Sequence, residues 1–244
     1  MGKNKHAQDD WDHEKIQAYW ELRETPWCVP LARDAVVLDC EMGINARGDQ
    51  ELVRMSAIDF FTGEVLIDTL VWPSMRMMHL NTRYSGVTWP MLYRARETGN
   101  CVNGRLGALE RIWEFVGPAT TLIMHGGRAD LISLRWIHKN VIDTVELESR
   151  RVQGLHYRTL KRLSAALLKR QIQCRYGHDS LEDAVATRDL VHWYVENLRP
   201  EDKLNPDRHH WGPTELEVYF SKQATRANKE VEAALLLELG RIEL

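Results

Sequence analysis

Two carboxylates, Asp39 and Glu41, lie one residue apart at the end of the apolar run Val36–Leu38. Successive side chains of a β-strand point to opposite faces, so Asp39 and Glu41 would leave a strand on the same side. Hard divalent cations such as Mg²⁺ and Mn²⁺ prefer oxygen ligands, and a cation between two carboxylates lets them lie close together. The pair therefore indicates half of a metal site, although it is also typical of a solvated strand end.

A third carboxylate, Asp130, follows the buried run Thr120–Met124 and lies at the start of a predicted helix. The helix dipole also favours a carboxylate at this position, so Asp130 alone does not identify a metal site. His125 lies between the strand and the helix, and we expect it to be a structural hydrogen-bonding residue and not a ligand. This segment is a weaker indication of a site than the first.

The segment His178–Ala184 leads into a long amphipathic helix. Asp179 or Ser180 can cap that helix, and an acidic residue in its first turn can complete a capping box. The same arrangement also brings an imidazole over a cation that the next helical turn holds. His178, with an unperturbed pKa near ~6.5, would then take a proton from a water molecule at neutral pH. Asp183 is compatible with either interpretation.

The charge balance limits the way in which this chain can bind nucleic acid. With 32 basic and 35 acidic residues among 244, the net charge is −3, which excludes a generic polycation. A local basic run still occurs between positions 150 and 175, where eight Lys and Arg residues lie without one Asp or Glu. Such a run either follows a phosphate backbone or forms a solvated helix face. Its members are Arg150, Arg151, Arg158, Lys161, Arg162, Lys169, Arg170 and Arg175.

Cysteine usage and hydropathy indicate the class of protein. The four cysteines form no Cys-x-x-Cys pair, which argues against a zinc ribbon or a secreted disulfide scaffold. No apolar run approaches the ~20 residues that span a bilayer, and the first residues lack the apolar segment of a signal peptide. We therefore expect a soluble intracellular protein without membrane contact.

Hydrophobic periodicity predicts an α/β fold. Strand-like runs are Ala35–Glu41, Leu52–Phe60, Val65–Trp72, Thr120–Met124 and Val141–Thr144, and helical runs are Leu106–Val116, Ala129–His138, Arg158–Leu168 and Ser180–Leu198. A short turn at 62–64 joins the second and third strands, so the sheet is expected to begin with three antiparallel strands. The later strand, helix, strand order predicts parallel strands and helices on both faces of a mixed sheet.

The two ends of the chain are expected to be extensions of one catalytic domain over residues 35–199. Residues 1–34 are polar and carry two prolines, which predicts a short helix from about Asp12 to Glu21 and then an extended lead-in. Residues 200–244 begin with a polar segment and end in a helical pattern from Glu215 to Glu243. This C-terminal helix is expected to pack on the core or to bind a protein partner or a second copy of the chain.

Three segments taken together resemble, in order, the three motifs of the DEDDh 3′→5′ exonucleases: Leu38–Met42, His125–Leu131 and His178–Ala184. The closest branch is the Rex-type RNA exonucleases, which the segments Val53–Asp59, Ser85–Thr88, Ile142–Thr144 and Leu160–Leu163 also resemble. The resemblance covers about Ala35 to Leu198 and implies a ribonuclease-H-like fold. Two departures occur: Met124 precedes the His where the family often has Gly, and the stretch at 127–129 is less polar than usual.

Carried over residue by residue, the resemblance implies a site that holds two Mg²⁺ or Mn²⁺ ions. The implied metal ligands are Asp39, Glu41, Asp130 and Asp183. His178 would be the general base for attack of water on the terminal phosphodiester, which releases a nucleoside 5′-monophosphate. Because all five residues are present, we expect an active enzyme.

The expected substrate is single-stranded RNA, in RNA 3′-end processing or decay. Expected substrate contacts are Met42, Gly43, Tyr84 and Arg128. Trp89 and Tyr93 also offer planar faces for unpaired bases, although such aromatic residues are more often core residues. A DNA 3′→5′ exonuclease with the same site and a non-catalytic RNA-binding scaffold are the alternatives, because the carboxylates do not sense the 2′-OH. We expect a nuclear or nucleolar location in preference to the cytoplasm.

Overall fold

The computed structural model describes residues 21–151, 159–174 and 176–197 of the chain. Its strands are β1 (Arg23–Glu24), β2 (Ala35–Asn45), β3 (Gln50–Asp59), β4 (Val65–Trp72), β5 (Met77–His79), β6 (Cys101–Asn103), β7 (Thr121–Met124), β8 (Trp136–Ile137) and β9 (Val141–Asp143). Its helices are α1 (Thr82–Ser85), α2 (Trp89–Glu97), α3 (Gly104–Ile112), α4 (Arg128–Leu134), α5 (Thr144–Arg151), α6 (Leu160–Leu163) and α7 (Ser180–Asn197), with a π-helical turn at Ser164–Leu168.

A mixed sheet in the order β6-β4-β3-β2-β7-β9 forms the centre of the fold, and β5 pairs with the end of β2. Strands β2, β3 and β4 are antiparallel neighbours, whereas β2 with β7, β7 with β9 and β4 with β6 are parallel. The predicted mixed sheet, with three antiparallel strands followed by parallel ones, is confirmed. Strands β1 and β8 form a separate parallel pair.

Strand β2 lies in the middle of the sheet and is covered on both faces. Val36 and Leu38 pack in a cluster with α3 and α4, whereas Val37 packs in a second cluster with Ile58, Ile123 and α7. Burial on both faces explains why the strand reads as a continuous apolar run and not as an alternating one. The predicted helices on both faces of the sheet are confirmed.

Three predicted helices are shorter than the periodicity indicated. The helix expected over Ala129–His138 ends at Leu134, because Arg135 has a left-handed backbone with φ of 53° and Trp136 then enters β8. The helix expected to end at Leu168 is the single turn α6 followed by the π-helical turn. Helix α3 also begins two residues earlier and ends four earlier than the predicted Leu106–Val116.

The hydrophobic pattern predicted no helix between β4 and Leu106, but this segment contains α1 and α2. Gly86, with φ of 66°, ends α1. Thr88 then caps α2 by accepting a hydrogen bond at Oγ1 from the backbone N–H of Met91, with Pro90 in the first turn. A Thr cap followed by an early Pro is a start signal for a helix, which the sequence did contain.

The last residues before β2 pack against the domain. Strand β1 pairs with β8, and Trp136 donates its indole N–H to Thr25 Oγ1 at 2.9 Å. Most of the helix predicted from Asp12 to Glu21 and all of the one from Glu215 to Glu243 lie outside the described residues. The division into 1–34, 35–199 and 200–244 stays a prediction. Over the described parts of the chain, the helices are too short or too polar to cross a membrane.

Candidate active site

Strand β2 carries the first two carboxylates of the site. Asp39 is paired in register with Ser56 of β3 and Glu41 with Arg54, and a β-bulge follows directly between Glu41 and Met42. Bulges are found where a strand must redirect its side chains, often beside active sites. The backbone positions of both carboxylates are thus set by the centre of the sheet.

Helix α4 brings Asp130 to the same place from the neighbouring crossover. Asp130 is buried in the first turn of α4, and the backbone N–H of Cys40, which lies between Asp39 and Glu41, donates a hydrogen bond to it. The negative charges of Glu41 and Asp143 lie close enough to affect it. Asp130 therefore faces the other carboxylates and is more than a residue favoured by the helix dipole.

Asp143, at the end of β9, holds the backbone before α4 in place. Its carboxylate accepts hydrogen bonds from the N–H groups of Gly126 at 2.9 Å, Gly127 at 3.1 Å and Val145 at 2.9 Å. A Cβ on Gly127 would collide with the side chain of Met124. The two departures from the family motif, Met124 before His125 and the stretch that begins with Gly127, therefore depend on each other. Asp143 was not predicted as a site residue, although its segment had been matched to the family.

Helix α7 supplies the fourth carboxylate, and the residues just before it supply the histidine. The Nδ1 atom of His178 lies 3.7 Å from Oδ2 of Asp183. One ligand atom from each of Glu41, His178 and Asp183 lies within 4.8 Å of the others. Asp183 is buried whereas the His178 side chain is 41% exposed, so the histidine is on the side of the site that substrate can reach.

Burial and concentrated negative charge raise the pKa of every carboxylate of the site. Burial, then the charges of Asp130, Asp183 and Glu41, raises the pKa of Asp39 well above its usual value. Burial is also the main cause that raises the pKa of Glu41 to about 8 and that of Asp183 to about 6, with like charges adding to it. The pKa of Asp130 is raised in the same way. Carboxylates held together at this cost are typical of a functional site.

Two oxygens of this cluster have no protein partner. Glu41 Oε1 and Asp183 Oδ1 are buried, and neither accepts a hydrogen bond from any residue in the part of the chain that the structure describes. Buried polar atoms are almost always satisfied, by protein, water or an ion. Unpartnered carboxylate oxygens in a cluster with raised pKa values fit a divalent cation with oxygen ligands.

His178 is held by the segment that precedes α2. Its backbone N–H donates to the carbonyl of Tyr84 at 2.6 Å, and the two rings meet edge to face with centroids 6.4 Å apart. Gly177 and Gly86 both have positive φ and contact each other so closely that a Cβ on either would collide with backbone. Only glycine fits such an approach at little cost. The role of these glycines was not predicted, because it depends on a contact between distant segments.

Strand β3 and the chain after the π-helical turn hold the start of α7. Asp179 caps the helix, since its Oδ1 accepts from Leu181 N at 3.0 Å and Glu182 N at 3.3 Å, and it pairs with Arg54 at 3.1 Å. The predicted capping box is absent from this helix start. The Glu182 carboxylate instead accepts a hydrogen bond of 2.8 Å from the backbone N–H of Gln173.

Gln173 contacts a second acidic residue of the same helical turn. Its side-chain amide donates to Asp183 Oδ2 at 2.9 Å. No sequence pattern had singled this residue out, because the contact joins two segments through an irregular stretch of chain. Gln173 thus helps to orient one of the site carboxylates.

The predicted substrate contacts lie around the site in different environments. Tyr84 is 54% exposed next to His178, and Arg128 is exposed in the first turn of α4. Met42 is half-buried against the core, and Gly43 is buried where a Cβ would lie 2.5 Å from Met77 Cε and 2.8 Å from a β5 carbonyl. Packing of β5 thus accounts for Gly43, and a substrate role for these four residues stays a prediction.

His125 has the structural role that we expected. Its Nδ1 is hydrogen-bonded to Thr144 Oγ1 at 2.7 Å, and burial lowers its pKa to about 4. The ring is therefore neutral near pH 7.

Part of the predicted basic run is engaged within the protein. Arg170 pairs with Asp189 at 2.8 Å, and Lys161 and Lys169 donate to backbone carbonyls. Arg162 is exposed. The side chains of Arg150, Arg151, Arg158 and Arg175 lie outside the described structure. A role of this run in binding RNA stays a prediction.

A ribonuclease-H-like mixed sheet that gathers four carboxylates and a histidine at one point defines a nuclease of the divalent-metal-dependent kind. The family model described as "Exonuclease", of the RNase T type, matches residues 36–191. The chain belongs to this exonuclease family, as the sequence had indicated. Members of the superfamily depend on divalent metal ions.

Curated relatives carry the name RNA exonuclease 3. The protein of Candida albicans is 35% identical over 161 residues, which are 65% of this chain and 37% of the relative. That of Saccharomyces cerevisiae is 36% identical over 155 residues, covering 63% of this chain and 36% of the relative. The human protein named putative exonuclease GOR is 34% identical over 191 residues, 76% of this chain and 27% of the relative. The chain thus spans about a third of the length of these relatives.

Among solved structures, the Neurospora crassa Pan2 catalytic unit is similar with a TM-score of 0.57 at 20% identity, covering 73% of this chain and 32% of that one. The Saccharomyces cerevisiae Pan2 pseudoubiquitin hydrolase-RNA exonuclease module in complex with AAGGA RNA matches with a TM-score of 0.57 at 24% identity, covering 68% of this chain and 30% of that one. These likenesses confirm the predicted fold.

Proposed function

We propose that this protein is a metal-dependent 3′→5′ exoribonuclease that releases nucleoside 5′-monophosphates from single-stranded RNA, in RNA 3′-end processing or decay. The observation that carries the proposal is the convergence of Asp39, Glu41, Asp130 and Asp183 beside a half-exposed His178, with unpartnered buried oxygens on two of the carboxylates. The names of the relatives support RNA as the polymer.

The cofactor we propose is a pair of Mg²⁺ or Mn²⁺ ions, which would supply charge to stabilise the attacking and leaving oxygens of an in-line displacement. Asp39, Glu41 and Asp183 would hold one ion and Asp130 the other. Burial, with like charges adding to it, raises the pKa values of these carboxylates, so the ionised cluster is costly until cations neutralise it.

His178 is the proposed general base. Burial and the nearby charge of Lys161 lower its pKa below the usual value, so its imidazole is neutral at pH 7 and a ring nitrogen can accept a proton. The backbone hydrogen bond to Tyr84 and the contact of Gly177 with Gly86 fix the ring over the carboxylates. His178 would take the proton from the attacking water as that water reaches the terminal phosphorus.

A cleavage assay with matched polymers tests the proposal. RNA and DNA of the same sequence, labelled at the 5′ end, are incubated with purified protein and Mg²⁺ or Mn²⁺, and in parallel with chelator. A metal-dependent ladder that shortens RNA from its 3′ end is the expected result. Shortening of DNA alone would select the DNA exonuclease, and RNA binding without cleavage would select the scaffold.

A nuclear or nucleolar location, and a partner or second copy bound through the C-terminal helix, also stay proposals. Imaging of the tagged protein in cells and the mass of the purified chain in solution test them separately.

A further inference from the structure

A group of aromatic residues, two of them exposed and one half-buried, lies on α2 and the end of β4, next to the segment that holds His178. We call it the aromatic track and define it as Trp72, Trp89, Tyr93 and Arg96. Trp89 and Tyr93 have ring centroids 5.7 Å apart, and Tyr93 lies 5.5 Å from Trp72. The guanidinium carbon of Arg96 lies 4.2 Å from the centroid of the Trp72 ring. The track is a continuous series of planar groups.

These rings are accessible, although aromatic residues are usually buried. Trp89 is 38% exposed and Tyr93 55%. The sequence had indicated core packing as their commoner fate, and the structure places them at the surface. A contiguous exposed aromatic surface is typical of a binding site.

The charge of the same segment is unusual for an acidic protein. Residues 69–96 contain four arginines and no Asp or Glu, a second acid-free run that the sequence reasoning missed. Arg83, Arg94 and Arg96 are exposed, and within the described structure none of them pairs with a carboxylate. The surface therefore combines free positive charge with planar faces.

The track is connected to the active site by short-range contacts. Tyr84 lies in the segment before α2 and contacts the active site, because its carbonyl accepts a hydrogen bond from the backbone N–H of His178. The guanidinium carbon of Arg83 lies 5.8 Å from the centroid of the Tyr84 ring. Gly86 contacts Gly177, and α2 begins three residues later. A polymer whose 3′ end lies beside His178 can thus continue over Tyr84 onto α2.

We propose that the aromatic track binds the single-stranded RNA that lies upstream of the terminal nucleotide. The bases stack on Trp89 and Tyr93 while Arg83, Arg94 and Arg96 contact the phosphates, which is how single-strand binding surfaces combine stacking with positive charge. The proposal rests on the proposed function, because it takes RNA as the polymer. It places the path of the RNA along residues 69–96 of the protein and not along the predicted basic run 150–175. The described cations of that run are largely engaged within the protein.

RNA binding without cleavage is the direct test. Fluorescence anisotropy with a labelled, unstructured RNA of about 20 nucleotides, longer than the ~4–16 that one single-strand fold covers, is measured in chelator. Trp89→Ala and Tyr93→Ala are each expected to weaken binding about 10-fold, and Trp89→Phe to restore most of it. Arg96→Ala is expected to make the slope of log K against log salt shallower by about 0.7.

Matched substitutions on other surfaces provide the control. Trp27→Ala removes a tryptophan that is 91% exposed, and Arg111→Ala removes an exposed arginine that pairs with Glu114. Both are expected to bind RNA as the wild type does. Circular dichroism and thermal unfolding check that each variant is folded. Arg96→Ala tests the track even if Trp89→Ala is unstable.

Substrate length separates this proposal from the proposed function. In the cleavage assay, Trp89→Ala and Arg96→Ala are expected to raise KM for the long RNA about 10-fold and KM for a dinucleotide much less. If every track variant bound RNA with wild-type affinity, the proposal that the track binds RNA would be overturned, while the proposed exonuclease function would stand. A wild type that binds RNA in chelator but does not cleave it would overturn the function, and weaker binding by the track variants would then still support the track. Absence of RNA binding by wild type would overturn both.

Discussion

The two halves of the active site are held in different ways. In the strand half, Asp39 and Glu41 have positions set by the central sheet, and their charges face Asp130 while the guanidinium of Arg54 offsets them only in part. In the helix half, individual hydrogen bonds hold the groups: Tyr84 binds the backbone of His178 and Gln173 binds Asp183. The strand half is thus fixed but electrostatically strained, whereas the helix half is adjustable and open to substrate. Cations are therefore expected to act mainly on the strand half.

The largest effect is expected from Asp39→Asn in the strand half. The amide keeps the shape of the side chain but removes one negative charge, so cation binding fails and turnover is expected to fall to below about one thousandth of wild type. The same change relieves like-charge repulsion, so thermal stability in chelator is expected to rise. Single-turnover cleavage of labelled RNA and a thermal melt measure the two quantities. Retained activity, or a melting temperature in chelator below that of wild type, would contradict the assignment of Asp39.

His178→Ala, in the helix half, is expected to reduce kcat by about 10²–10⁴-fold because the general base is lost. Cation affinity is expected to change little, since the four carboxylates remain. In saturating Mn²⁺, which keeps the carboxylates ionised, wild type is expected to lose kcat as His178 becomes protonated below its lowered pKa, and the variant is expected to lack this loss. Isothermal titration with Mn²⁺ and kcat measured from pH 5 to 8 test both statements, and an unchanged kcat would remove His178 from the mechanism.

A third prediction concerns pH and metal removal. The pKa of Glu41 is raised to about 8, so the folded state binds more protons than the unfolded state between about pH 4.5 and 8. Stability in chelator is therefore expected to be greatest near pH 5 and to fall as the pH rises toward 8. The expected slope is at most on the order of 1.4 kcal/mol per pH unit for one proton. Mn²⁺ binds the ionised carboxylates, so its stabilising effect is expected to grow over the same range.

Thermal unfolding at several pH values, with and without Mn²⁺, measures this linkage. Glu41→Gln is the matched variant, because it removes the titrating group and is expected to flatten the decline. Stability in chelator that rises from pH 5 to 8 would show that the strand half is not strained.

The strand half was largely predictable from sequence and the helix half only in part. A continuous apolar run followed by Asp39 and Glu41 predicts both the central strand and the shared face of its carboxylates, because strand periodicity is local. The approach of Gly86 to Gly177 depends on two segments far apart in the chain, and no local pattern encodes it. Arg135, which ends α4 early, is another case, because the following Trp136 pairs with β1 and overrides the helical periodicity.

The smallest effect is expected at Gln173, which lies in the helix half and has a left-handed backbone with φ of 54°. Its amide occupies Asp183 Oδ2 and leaves Oδ1 unpartnered, so it orients the carboxylate. Gln173→Gly keeps the hydrogen bond from the backbone N–H of residue 173 to Glu182 but removes the side-chain amide. Because Asp183 then loses the group that orients it, Mn²⁺ affinity is expected to fall about 10-fold. The same change relieves a conformation that costs an L-residue about 1–2 kcal/mol, so stability is expected to hold or rise.

Lys169→Gly is the matched control, because Lys169 is exposed and has a left-handed backbone with φ of 55°, and its side chain donates to the carbonyl of Ala166. Both variants are expected to keep or gain stability because the backbone is relieved, while only Gln173→Gly is expected to lose cation affinity. Equal Mn²⁺ binding by the two would mean that the sheet and not the helix half sets the geometry of Asp183. A loss of affinity without a loss of stability would instead show that individual hydrogen bonds adjust this half of the site.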